Sequence, residues 1–450
     1  MGDQQNAVGD RLEAAARALL ADPMVAGKSS ADISILQYLG YDDGDAAQSE
    51  SRARLLRAAA QFRRCFLLPV PDAPGLTFFG GEADPVILSE QHAGLPLGNL
   101  AGSGLSPQRA FESCVGEGIE YLSQFLQADD TVKSGRLADC DLTHDADLAA
   151  FLPRILAASM IDADRSIAWV PANRLPEGEE KWFPLDLCYR RHAAEQDFKP
   201  PLKLSSGCAA GITVEAATLR ALLELIERDA VALWWRGGRR GRSIPSGSEA
   251  ARAGADLLGQ VRQPDADRKT WLLNITTDVE IPAVAAISAR PDGYGFAFGF
   301  GARLNLADAA RAAIFELCQV ELGQHVVAAK RNESGDEGLS EGDRRQLRRG
   351  TLFDTRNCAL LQPASDPDFT SIDGPADPGS GLQHILERLK ALGIAVYWID
   401  LTRPQFGVPV VRVLAPGLQL DPCEIVGARL ARIIGETGGG AKHHGGMLLL

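Results

Sequence analysis

Three pairs of side chains stand out, each on a stretch with helical spacing: Glu117/Glu120, Glu224/Glu227 and Glu316/Gln319. Residues three apart share one helix face, where two carboxylates repel by about 0.2–0.5 kcal/mol in water. Burying them costs far more unless a cation arrives. Their neighbours are apolar: Cys114, Val115 and Ile119 flank the first pair, and Leu222, Leu223, Leu225 and Ile226 flank the second. Hard oxygen ligands drawn from separate helices suit Mg²⁺ shared with phosphates. Arg228, next to Glu227, is a further phosphate contact in that arrangement. One such pair is ordinarily a solvated helix face. Three pairs in apolar surroundings point to a carboxylate-rich ion or phosphate site. Spacing alone does not name the ligand, and a metal-dependent hydrolase using the same carboxylates stays open.

Positioning these pairs requires three long helices, which the pattern predicts over about 106–126, 214–235 and 307–330. Each follows a glycine-rich turn: 102–104, 205–211 and 293–301. Glycine permits close backbone approach, and helix N-termini favour anions. The recurrence hints at a repeated strand–helix unit. Short strands are expected at 66–70, 76–79, 166–170, 394–401 and 408–414, with two more across 270–289. The fold class is therefore mixed α/β (α+β). We divide the chain into an accessory or docking segment, 1–90, a main body, 91–431, and a flexible Gly/His-containing tail, 432–450. Residues 129–150 read as a polar surface excursion. The basic cluster Arg236, Arg239, Arg240 and Arg242 reads as a solvated loop.

The 450 residues are 45% hydrophobic, enough for a large core, and the formal net charge is −13. That charge disfavours nucleic acid and anionic membrane as partners. No apolar run approaches the roughly 18 residues of a membrane helix. The N-terminus lacks the apolar stretch of a signal peptide. Eight scattered cysteines without a CxxC pair read as reduced thiols of a cytoplasmic protein. Cys114, Cys208 and Cys318 lie beside the site helices, but no adjacent histidine would activate them.

The same blocks resemble the YcaO family. The first is Gly102-Ser103-Gly104 through Ala110, Ser113, Glu117 and Glu120. The second is Ser206-Gly207-Cys208-Ala209-Ala210-Gly211, then Glu224-Leu225-Ile226-Glu227-Arg228-Asp229-Ala230 and Trp234-Trp235. The third is Gly299 to Gly301, Ala309, Ala313, Glu316 and Gln319. A further match runs from Asp400 through Gly407-Val408-Pro409-Val410-Val411-Arg412 to Gly417. The resemblance implies ATP and Mg²⁺ as cofactors. It implies metal ligands at Glu117, Glu120, Glu224 and Glu227, and ATP contacts at Ser113, Arg228, Glu316, Gln319 and Arg412. It implies activation of a peptide backbone amide, giving an azoline or a thioamide in a ribosomally made precursor peptide. A TfuA-like or E1-like partner protein is implied as well, and a homodimer is left open. The chain departs from the family pattern at Ser103, where a basic residue is usual, at Tyr121, where arginine is usual, and at Ile212, where asparagine is common. It also lacks the proline-alternating end of azoline-forming members. These departures keep a non-catalytic protein binding nucleotide or peptide as the alternative.

Overall fold

The computed structural model describes residues 2–20, 30–41, 46–140, 142, 145–263, 266–364, 374–375 and 377–449. Parts of the segments drawn at 1–90, 129–150 and 432–450, Leu450 among them, lie outside these residues. Helices α1 (Gly2–Leu20), α2 (Ser30–Leu39) and α3 (Ala46–Ala60) open the chain. Strands β1 (Arg64–Leu67), β2 (Thr77–Ala83) and β3 (Gly98–Gly104) then form one antiparallel sheet, with Phe78 opposite Ser103. Helix α4 (Pro107–Ser123) follows, started by the Ser106 hydroxyl accepting from the Arg109 N–H and by Pro107 at its first position. Tyr41 packs edge-on against Phe111, so the opening helices bury a face of α4. The division expected near residue 90 therefore falls inside a sheet: β2, on one side of it, pairs along its length with β3 on the other.

The middle of the chain supplies β4 (Lys133–Gly135), α5 (Ala146–Ala158), β5 (Ile167–Leu175), β6 (Glu180–Pro184), the short α6 (Leu185–Cys188), β7 (Cys208–Ala210) and α7 (Val214–Trp235). The excursion expected at 129–150 is tied down. Asp130 pairs with Arg403 at 2.9 Å, and buried Asp145 caps α5. Next come β8 (Arg242–Ser243), α8 (Glu249–Val261), β9 (Lys269–Asn274), β10 (Ala283–Ala289), β11 (Ala297–Ala302), α9 (Leu306–Ser334) and α10 (Glu341–Leu352). Strands β8–β11 form an antiparallel sheet ordered β11-β10-β9-β8. The chain closes with α11 (Pro378–Ala391), β12 (Val396–Asp400), β13 (Val410–Leu414), α12 (Ala428–Thr437) and α13 (Ala441–His444). The last two strands complete a sheet ordered β4-β5-β12-β13-β7, with β6 on β5. Among the described residues no helix is long and apolar enough to cross a membrane.

The close of the chain, expected as a flexible tail, packs instead. His444 stacks on Trp235 with ring centroids 4.2 Å apart, and the Trp235 indole donates to the Met447 carbonyl at 2.6 Å. Gly440 allows this approach: a Cβ there would stand 1.6 Å from the Trp235 carbonyl oxygen. The basic loop is also less free than expected. Arg236 pairs with Asp421 at 2.9 Å, Arg239 donates to the Thr276 carbonyl, and Arg240 donates to the Pro363 carbonyl.

Candidate nucleotide and metal site

Each site helix follows a strand that lies against it, and small residues set the distance. A Cβ on Gly102 would stand 2.2 Å from the Ala110 carbonyl oxygen and 2.3 Å from the Cys114 nitrogen. Gly301 meets Ala309 and Ala313 with the same sequence offsets, at 2.5 and 2.9 Å. Strand backbone thus comes within reach of side chains on the next helix.

Glutamates take up that backbone. Glu117 accepts from the Ala101 N–H of β3 at 2.6 Å. Glu316 accepts from the Phe300 N–H of β11 at 2.5 Å, with the same separation of 16 residues. Glu224 accepts from the Gly207 N–H, just before β7, at 3.2 Å. The first residue of each pair therefore binds its own strand. The second reaches the strand of another unit. Glu120 of α4 accepts from the Ala210 N–H of β7 at 2.7 Å, and Glu227 of α7 accepts from the Ala302 N–H of β11 at 3.2 Å. Gln319 of α9 donates to the Ser103 hydroxyl of β3 at 2.9 Å. Strand–helix contacts follow the same circuit, β7 on α4, β11 on α7 and β3 on α9.

These bonds spend one carboxylate oxygen each. The second oxygens of Glu117, Glu120 and Glu316 accept no bond from the described residues. Arg228 stands between Glu224 and Glu227, at 3.5 Å from each. Its Nη1 is buried without a hydrogen-bond partner. The site thus brings three carboxylates, Glu224, Glu227 and Glu316, to one arginine, with Glu117 and Glu120 on the far side of Glu224. Glu227 is buried, Glu120, Glu224, Arg228, Glu316 and Gln319 are half-buried, and Ser113 and Glu117 are open to solvent.

The charge excess shifts the acids. The protein packed around it desolvates the Glu117 carboxyl and pushes it up to about 7, although the residue keeps a solvent-facing side, with the Ala101 N–H opposing the rise and Glu224 adding to it. Glu120 rises to about 8, through burial first and then Glu117 and Glu224, against the Ala210 N–H. Burial lifts Glu224 as well, against the pull of Arg228. Glu316 rises to about 7 through burial and the charge of Glu227. Burial disfavours the Arg228 charge, but Glu227, Glu224 and Glu316 together outweigh it and hold the guanidinium protonated. A divalent cation would relieve this arrangement. Among the described residues no three His, Cys, Asp or Glu side chains converge closely enough to hold a metal alone. Ligand oxygens from phosphates would complete the shell, as is usual for Mg²⁺. Free carboxylate oxygens, a buried guanidinium nitrogen without a hydrogen bond and tight glycine turns all fit Mg²⁺ with an anionic ligand.

Eight of the nine predicted site residues lie on these three helices. The exception is Arg412. It is fully buried on β13 and donates to the carbonyls of Leu204 and Ser206. It braces the turn that carries Gly207 from behind, and it is not open to a phosphate. The thiols follow expectation: burial pushes Cys208 and Cys318 up to about 12, far from a reactive thiolate. Trp234 and Trp235 are buried and pack the end of α7. Two features escaped sequence reasoning. One is the set of backbone N–H anchors, for which the repeated 16-residue offset from Ala101 to Glu117 and from Phe300 to Glu316 was a signal. The other is Arg220, one turn before Glu224, which donates to the Ala210 carbonyl at 3.2 Å and lowers the Glu120 carboxyl somewhat.

The YcaO cyclodehydratase family model, described as ATP- and Mg²⁺-binding, matches residues 101–419. The chain belongs to the YcaO family. A protein of Rhizobium leguminosarum bv. trifolii, named for its place in a tfuA 3′ region, is 27% identical over 75% of this chain and 80% of its own length. A heterocyclase solved in complex with substrate and cofactor shares the fold with a TM-score of 0.67 and 24% identity. The match covers 90% of this chain, which spans only 58% of that heterocyclase. YcaO from Methanopyrus kandleri, solved with AMPPCP and Mg²⁺, shares the fold with a TM-score of 0.55 and 18% identity over 79% of this chain and 86% of that one. The match begins at β3 and contains all three site helices.

Proposed function

We propose that this YcaO protein uses Mg-ATP to activate a backbone amide of a ribosomally made peptide. The reading rests on one observation above all: five glutamates from three helices are pinned by backbone N–H groups, and three of them share a single arginine. Pinning fixes the carboxylates before any ligand arrives, so little reorganisation is needed when charge moves.

In this reading Glu117, Glu120, Glu224 and Glu227 hold the metal. Ser113, Arg228, Glu316 and Gln319 line the nucleotide. Arg228 is well suited to a phosphate because its present carboxylate contacts are long and its buried Nη1 makes no hydrogen bond. Mg-ATP supplies the phosphoryl group that turns the amide oxygen into a good leaving group. The chain's own share is to orient the phosphates, spread their charge over Arg228 and the metal, and hold the amide in line. A nucleophile bonds to the amide carbon, and the original oxygen departs as phosphate. With a substrate Cys, Ser or Thr side chain the product is an azoline; with sulfide it is a thioamide.

A TfuA-like partner is favoured because one relative is named for a tfuA 3′ region. Two of the departures from the family pattern leave no gap in the local packing. Ser103 is held by Gln319, and Tyr121 bonds the Pro96 carbonyl while Arg190 lies 5.3 Å over its ring. The test is ATP hydrolysis by the pure protein with a precursor peptide, with and without a TfuA-like protein. Peptide-stimulated turnover supports the reading. Nucleotide binding without turnover in either condition replaces it with a non-catalytic binding role. Metal-dependent activity without ATP points to a hydrolase.

A further inference from the structure

The six side chains of the three helix pairs form a closed circuit. Aligning the units on Gly102, Ala209 and Gly301 makes Ser103, Ala210 and Ala302 equivalent, and Glu120, Glu227 and Gln319 equivalent. In that alignment all three second-position residues bind the equivalent residue of another unit: α4 to β7, α7 to β11, and α9 back to β3. The first two locks are carboxylate to backbone N–H. The third is an amide to a hydroxyl and carries no charge.

We propose that Ser103 and Gln319 form the third lock of this ring. Gln319, besides lining the nucleotide, holds α9, and with it Glu316, in register with β3. Its neutrality keeps divalent cations at the two charged corners. This deepens the proposed function, on which it rests for the identity of the ligand. The physical case has two parts. Around Arg228 the carboxylates already exceed the cations, and a further acid would raise the cost of holding them together. A side-chain amide can close the ring without adding to that cost, since its N–H₂ donates where a carboxylate could only accept.

The experiment uses full-length protein and four variants: Gln319→Ala, Ser103→Ala, the double alanine variant, and Gln319→Glu. Mn²⁺ binding with and without ATP is counted by electron paramagnetic resonance, and stability is read by urea unfolding. The lock predicts that both alanine variants lose stability and that the double variant loses no more than the worse single one. It predicts that Gln319→Glu, which can still accept from the Ser103 hydroxyl, binds Mn²⁺ about tenfold more tightly or takes up an extra ion. Gln319→Ala should show no such gain. Additive alanine effects, or Mn²⁺ binding by Gln319→Glu equal to that of wild type, would overturn the proposal. If wild type neither binds nor hydrolyses ATP while the coupling and the Mn²⁺ gain are present, the ring stands and the amide-activation reading falls.

Discussion

Helix α9 carries two glutamates five residues apart that meet opposite electrostatic surroundings. Glu321 is fully buried and neutralised inside the protein: Arg262 lies 2.8 Å away, Arg268 3.0 Å, and the Ser288 hydroxyl donates to it. Glu316 is half-buried, has one backbone N–H, and looks out on other carboxylates. The same contrast falls between adjacent residues of α7. Arg228 faces an excess of acid, while Asp229 next to it is buried on Arg429 at 2.9 Å and on the Gln419 N–H. A buried acid matched by its own cations is part of the framework. A set of acids left in excess awaits a cation from outside.

The largest effect should come from breaking the framework side. Glu321→Ala leaves Arg262 and Arg268 buried without their shared carboxylate, and should cost about 3–5 kcal/mol in urea unfolding. Mg-ATP affinity of the folded fraction should not change. If stability held and nucleotide binding were lost, the division between the two glutamates would be wrong.

On the other side, Glu224→Gln and Glu227→Gln should each weaken Mg-ATP binding by about 10–100-fold, the worth of one charged contact. Stability should hold, because a glutamine oxygen can still accept from the Gly207 or Ala302 N–H. Calorimetric titration decides it: wild-type affinity in both variants would remove these residues from the site. Arg412→Met tests the residue that changed sides. Its carbonyl partners at 204 and 206 would lose their donor, for about 1–3 kcal/mol of stability. Lost nucleotide binding at unchanged stability would return Arg412 to the phosphates.

Much of this contrast was legible beforehand. The α7 span follows from the apolar run after a glycine-rich turn, and the three acid pairs were visible as a recurrence. Acids in apolar surroundings already implied a missing counter-charge. The ring was not legible, because it depends on which strand backbone faces which helix, and that is settled by tertiary packing. Arg412 misled because family resemblance outweighed a local cue. An arginine inside Val-Val-Arg-Val-Leu on a strand buried throughout must find its partners within the protein. The close of the chain misled because glycine and histidine suggested solvent, whereas the glycine there makes room for Trp235 and the histidine covers it.

The acid excess itself yields the finest test. In the unfolded chain a glutamate titrates near pH 4.3. In the fold Glu117 and Glu316 are held up to about 7 and Glu120 up to about 8, burial being the first cause in each case. Between the unfolded and folded values the native protein binds more protons than the unfolded chain. Its stability from these groups is therefore full below the unfolded value and is lost as pH rises through the folded ones. Asp229, although paired with Arg429, is also lifted by burial and contributes with the same sign, so the part that belongs to the site is the part that Glu120→Gln and Mg²⁺ remove. Solvent at Glu117 screens its share, so the slope should be modest. Glu120→Gln should flatten it, and Mg²⁺ should flatten it further by favouring the ionised form and releasing protons on binding. Thermal unfolding of the metal-free protein from pH about 5 to about 8, with and without Mg²⁺, reads the effect. Equal slopes in wild type, in Glu120→Gln and in Mg²⁺ would mean that these carboxylates do not await a cation.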